Sequence, residues 1–237
     1  MTLKFLNHFF NSLNESNLSY CVLRGYESLP EKINNDIDFG VSNSFKFQFF
    51  DILKETTKNH GYIVQVELIR HSVIKMKLTN RYGNIIKIDV WWQFNYLGLE
   101  YLSINKMLNS RKLYKNIFYV PSIEYEFALS YLKELLHNSW IRTDKVEVLT
   151  LKMKEKSHVP FNKYFNKNII DDFFISVETK KFKLKLLSLR AKFSILLKNT
   201  SFHGLFYVLI NIYRYLKIRF LYRNEYYNLM NKLVDKK

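Results

Sequence analysis

Cysteine is nearly absent from this sequence: Cys21 is the only one in 237 residues. No internal disulfide can form, so disulfide-stapled folds are excluded and a reducing compartment, the cytoplasm, is the expected setting. Proline and glycine are scarce as well, three and six residues, which argues for few long loops. Long apolar runs are missing. No stretch reaches the roughly 18 consecutive apolar residues of a membrane-spanning helix, and the nearest, "LFYVLINIYRYLKIRFLY", is interrupted by Asn211 and Arg214. The opening "MTLKFLNHFFNSLNES" has no apolar core followed by a small-residue cleavage site, so no secretory signal is expected. Acids are short: 37 Lys and Arg face 21 Asp and Glu, a net charge of +16. The imbalance is local, because residues 180–237 carry 14 basic side chains against Glu225 and Asp235, leaving 23 − 19 = +4 for residues 1–179.

What is present is apolar and aromatic, at 48% and 17%, enough to bury a sizeable core in one domain or two small ones. Leu3, Leu6, Phe9, Phe10 and Leu13 recur at helical spacing and predict an amphipathic opening helix. "LSYCVLR" reads as a first strand ending at Gly25, and "DIDFGV" as a second. Ser42 or Ser44 offers a cap for a helix through "FKFQFFDILKETTKNH", with Gly61 after its end. "YIVQVELIR", "SVIKMKLTN" and "NIIKIDVWWQ" follow as strands, the last two joined by a turn through Arg81 to Asn84. From Pro121 the period becomes helical, with Ser122 as N-cap and Glu124 and Glu126 in the first turn. Further helices are expected near 144–156, 168–178, 180–198 and 204–222. The fold class read from this order is α/β: a mixed-sheet domain over residues 1–121, then an all-α domain over 122–237 with a basic amphipathic tail.

Three acids stand inside apolar strand patterns. Asp36 and Asp38 in "DIDFGV" would project from one face of a strand, roughly 7 Å apart, while Ile37 and Phe39 project from the other. Like charges on a half-buried strand call for a compensating cation: a metal ion, Lys or Arg, or simply water. Asp89 in "IIKIDVWW" repeats the pattern. If its strand lies beside the first, three carboxylates converge on a surface suited to Mg²⁺, a hard ion usually bound together with substrate phosphates.

Gly25 closing the first strand, the hDhDh strand "DIDFGV" and the later "KIDVW" resemble the nucleotidyltransferase fold shared by DNA polymerase beta, aminoglycoside nucleotidyltransferases and minimal nucleotidyltransferases. "YCVLRGYESLP", "DIDFGV" and "VPSIEYEFALSYLKELLH" with a basic helical tail resemble more closely an uncharacterised nucleotidyltransferase-like group from bacterial surface-polysaccharide gene clusters. The resemblance implies Mg²⁺-dependent transfer of a nucleoside monophosphate, or a related phosphoryl group, from an NTP to a small-molecule or glycan-precursor hydroxyl. It makes Asp36 and Asp38 bridge the metal, and Asp89 hold the catalytic metal and act as general base. It places the nucleotide against Arg24, Gly25 and Tyr26. One departure stands out: Tyr26 replaces the small residue that usually follows the glycine and lets backbone approach the triphosphate, so Arg24 is the expected phosphate contact. Some members of that group continue into a thymidylate-kinase-like domain. No G-x-x-x-x-G-K-[ST] occurs here, so a separate kinase-like partner is an expectation.

Other readings remain open. Arg24 is equally an ordinary ion-pair partner of Asp36 or Asp38, and of Trp91 and Trp92 alternation sends one to the core and one toward the site face. The histidines show no H-x-x-x-H pair, which argues against zinc. Cys21 reads as a small core residue. Residues 180–223 combine aromatic, apolar and basic side chains as an interfacial helix on the anionic inner membrane face would, or as a basic helix with a solvated face. The alternatives to an enzyme are a catalytically silent binding module of a polysaccharide-assembly system, or a basic nucleic-acid-associated protein, the latter lacking any recognised reader motif.

Overall fold

The computed structural model describes residues 2–134 except His71, Leu97 and Gly98, together with Leu136 and Tyr213. The helices expected beyond residue 140 and the basic tail therefore lie outside the described residues. Within them the chain is mixed α/β, with four helices and nine strands. No helix among the described residues is long and apolar enough to cross a membrane.

Helix α1 (Thr2–Glu15) buries Phe5, Leu6, Phe9, Phe10 and Leu13 along one face, as the helical period dictates. Leu3, expected on that face, is exposed, and Phe5 takes its place. Strands β1 (Tyr20–Val22) and β2 (Ile37–Val41) pair antiparallel and are buried throughout. Helix α2 (Lys46–Asn59) starts without the expected serine cap: no side chain caps it, and the Ser42 and Ser44 hydroxyls bond each other at 2.9 Å. Its end follows the expectation, with Gly61 in the left-handed region at φ +67°.

Strands β3 (Tyr62–Arg70), β4 (Val73–Asn80) and β5 (Ile85–Trp91) complete a five-stranded sheet of order β1-β2-β5-β4-β3. All neighbours are antiparallel except β2 and β5, which run parallel. A parallel pair needs a crossover, and here α2 with the β3–β4 hairpin supplies it. The β4–β5 turn is held by Asn80, whose Oδ1 accepts from the backbone N–H of both Tyr82 and Asn84 at 3.0 Å.

One sheet face is covered by the two long helices. Phe39 of β2 meets Phe9 of α1 at 5.8 Å and Phe49 of α2 at 5.2 Å between ring centroids, both edge to face. Ile74, Met76, Leu78, Ile86, Ile88 and Val90 extend the same core along β4 and β5. By alternation the residues between them look the other way.

The stretch from 94 to 120 holds elements with no sequence expectation: β6 (Phe94–Tyr96), β7 (Leu99–Leu102), α3 (Ile104–Asn109), β8 (Lys112–Tyr114) and β9 (Phe118–Val120). The β8–β9 hairpin turns through Lys115 and Asn116, both at positive φ, with the Ile117 N–H donating to the Tyr114 carbonyl. That is the hairpin-favouring primed geometry built without glycine. Phe118 anchors it, its ring 4.6 Å from Phe10.

Helix α4 (Ile123–Lys133) begins directly after Ser122 and carries Glu124 and Glu126 in its first turn, as read from the sequence. The chain divides into two compact units. Of the described residues, one contains those up to Gln93 and Ile104–Ser122, and the other contains Phe94–Ser103 and those from Ile123 onward. The first unit contains the whole five-stranded sheet.

Candidate active site

The parallel pairing of β2 and β5 sets Asp38 beside Asp89, and the antiparallel pairing of β4 and β5 sets Lys75 beside Asp89. All three belong to the sheet face turned away from α1 and α2. Both carboxylates are buried, Asp38 to 5% and Asp89 to 4% exposure, on a surface whose flanking residues are charged. Buried carboxylates require charged or hydrogen-bonded partners, and each has one. The Arg24 Nε donates to Asp38 Oδ2 at 2.6 Å, and the Lys75 ammonium is paired with Asp89 Oδ2. The Trp91 indole N–H donates to the other oxygen of Asp38 at 3.2 Å.

Burial pushes the Asp89 carboxyl above the usual carboxylate range; Lys75 opposes this, while Asp38 and Asp36 add to it by repulsion. Asp36 is therefore electrostatically close, but it differs from its sequence-based placement. It sits one residue ahead of β2 and is exposed, so the strand carries one buried acid, not two.

Gly25 turns the chain at φ +66° just after β1, and a Cβ there would meet nothing within 4 Å. Its backbone conformation is thus what calls for glycine, and the space beside it is open. Tyr26 does not reach into that space: its ring packs edge to face on Tyr114 at 5.0 Å. That packing accounts for a large residue after the glycine. Arg24 is the cation that the sequence left between two roles, and in the structure it is held by Asp38. Trp92 is buried and Trp91 lies toward the acids, one on each side as alternation requires.

Helix α3 closes the far end of this face. Gly40, two residues beyond Asp38, lies under it, and a Cβ at Gly40 would come within 2.8 Å of Leu23 Cδ2 and 3.1 Å of Met107 Cε. Both atoms are the free ends of flexible side chains, so Gly40→Ala is expected to cost no more than about 1 kcal/mol, the low end of overpacking, measured as a slightly lowered urea midpoint. Cys21 lies in the same layer, fully buried, its thiol pushed up by burial and out of reactive range.

Among the described residues no group of three or more His, Cys, Asp and Glu is gathered closely enough to hold a metal ion. The donor chemistry nonetheless fits Mg²⁺, which is commonly held by one or two carboxylates plus substrate phosphates. Asp38 and Asp89 form such a pair, with Asp36 beside it. An ion bound there has to share or displace Arg24 and Lys75.

Sequence reasoning missed Lys75, whose place opposite Asp89 depends on strand register. It also missed a histidine pair far from the acids. His8 of α1 and His60 at the end of α2 share a hydrogen bond at 3.0 Å, and burial with the nearby His8 holds His60 below the usual histidine range. Comparison with family models, curated proteins and solved structures gives no match for this chain.

Proposed function

We propose that this protein is a Mg²⁺-dependent nucleotidyltransferase that moves a nucleoside monophosphate, or a related phosphoryl group, from an NTP to the hydroxyl of a small molecule or glycan precursor. The observation that carries the reading is the register of the parallel pair, Asp38 against Asp89 on the sheet face turned away from α1 and α2. The wider pattern supports it: a left-handed glycine, Gly25, lies three residues beyond the end of β1, and Arg24 stands at the site. The same resemblance to nucleotidyltransferase-like proteins of surface-polysaccharide clusters suggests the pathway, a separate kinase-like partner, and a cytoplasmic setting at the inner membrane face.

In this reading Asp38 and Asp89 hold the ion and Asp36 assists. When bound, Mg²⁺ would neutralise phosphate charge and polarise the reacting phosphorus. Asp89, its carboxyl raised by burial, is the candidate to take a proton from the acceptor hydroxyl. Arg24, always charged, is placed to exchange Asp38 for a phosphate oxygen. Trp91 fixes the second oxygen of Asp38.

Calorimetric titration with each NTP, with and without Mg²⁺, tests the proposal on wild type and Asp38→Asn. Metal-dependent binding that the variant loses is the expected result. Absence of binding to every NTP by folded wild-type protein overturns it. One observation favours a second reading, a catalytically silent module: both buried carboxylates are already neutralised by Arg24 and Lys75. That module would keep its cellular role when Asp38 and Asp89 are both replaced by Asn.

A further inference from the structure

The sheet face turned away from α1 and α2 carries its charge in ordered rows. In one row Asp38, Asp89 and Lys75 stand side by side across β2, β5 and β4. One step of side-chain alternation away, Lys87 of β5 is paired directly with Lys77 of β4. The parallel register, carried back from Ile37 and Ile88, brings exposed Asp36 level with Lys87. The acids thus gather on the β2 side and the lysines on the β4 side, with β5 carrying one of each.

Lys77 opposite Lys87 is the unusual element. Like charges directly opposite across a strand pair are destabilising, and among the described residues neither lysine has a carboxylate ion-pair partner. Lys75, two residues from Lys77, already answers Asp89. The surplus positive charge is therefore on Lys77 and Lys87, roughly 7 Å along the strands from the buried acids. A multiply charged anion lying along the sheet would relieve the repulsion and meet the carboxylate pair at one end.

We propose that Lys77 and Lys87 form a seat for a condensed phosphate chain, the triphosphate of the donor when the protein acts as a nucleotidyltransferase. The inference rests on the proposed function only for the identity of that donor. Ammonium groups bind phosphate as mobile point charges, which suits a seat that must hold a chain and release the shortened product. The seat also explains how a protein with a packed tyrosine after Gly25 can bind phosphate: the contact moves from the loop backbone to the sheet. Both lysines are outside the core, one half-buried and one exposed, so the fold does not depend on them.

The test compares wild type with the double variant Lys77→Gln/Lys87→Gln and with a charge-matched control, Lys4→Gln/Lys58→Gln, whose lysines are exposed on α1 and α2. Inorganic tripolyphosphate and ATP are titrated at low and moderate salt. Wild type and control are expected to bind tripolyphosphate with an affinity that falls with salt, and the sheet variant to bind at least about tenfold more weakly, a change expected of two lost charge contacts. Equal binding by the two double variants, or no binding of tripolyphosphate by wild type, overturns the seat. Tripolyphosphate binding that depends on the two lysines, without Mg²⁺-dependent binding of any nucleotide, keeps the seat and removes the nucleotidyltransferase.

Discussion

Asp89→Asn is expected to abolish Mg²⁺-dependent nucleotide binding and lower any transfer rate by about 10² to 10⁴-fold, the range for loss of a general base, while leaving the protein as stable as before or more so. The two halves have one cause. Burial raises the Asp89 carboxyl, so its ionised form is disfavoured in the folded state relative to the unfolded one. With the folded value above the ordinary 3.8, the favourable contribution of the protonated acid is present below that value and lost as pH rises through the folded one. At neutral pH the wild type carries the cost of a buried charge that Asn lacks. Lys75 loses its partner in the variant, but 36% of its side chain is exposed, enough for water to replace the carboxylate. Thermal unfolding of both proteins across pH 4 to 8 checks this: the variant should gain on the wild type as pH rises. A variant that loses stability at neutral pH together with binding would mark Asp89 as a structural ion-pair residue.

Phe39→Ala is expected to have the largest effect on stability. Phe39 follows Asp38 directly in sequence but its ring points to the opposite face, where it touches Phe9, Phe10, Tyr20 and Phe49. It is fully buried at the centre of the helix-covered core. Truncating a buried phenylalanine to alanine costs about 3 to 5 kcal/mol, against a total of about 5 to 15 kcal/mol for a typical domain. Urea denaturation followed by near-ultraviolet circular dichroism should show a midpoint displaced well below that of the wild type. Nucleotide affinity of the fraction still folded should change much less, because β2 presents Asp38 from its other side.

The contrast between these two neighbours shows how much was legible in advance. Asp38 and Phe39 differ in fate because successive side chains in a strand leave opposite faces, a rule that needs no tertiary information. Asp89 was legible for the same reason, a single acid in an apolar strand. Gly61 was legible as the stop of a helix; the strand read as running to Gly25 ends at Val22, with Gly25 in the turn beyond it, and Gly40 gave no signal of the helix packed over it. Asp36 was misplaced because strand patterns do not reveal where pairing begins, and β2 opens one residue later. The elements from 94 to 120 left no periodicity to read, since three- and four-residue strands are shorter than any window that could detect alternation.

By itself, then, the sequence determined the strands and helices with repeated apolar periods, the faces on which their polar residues would lie, and the acids set within apolar strand patterns. Tertiary structure alone decided which strands are neighbours and in what register. That choice joined Asp38 to Asp89, gave Lys75 to Asp89, faced Lys77 with Lys87, turned Tyr26 onto Tyr114 and brought His8 to His60. Local propensity cannot carry such information, because a register is fixed by the burial of whole faces and by crossovers dozens of residues long, and charge pairing across strands follows only once that register is set.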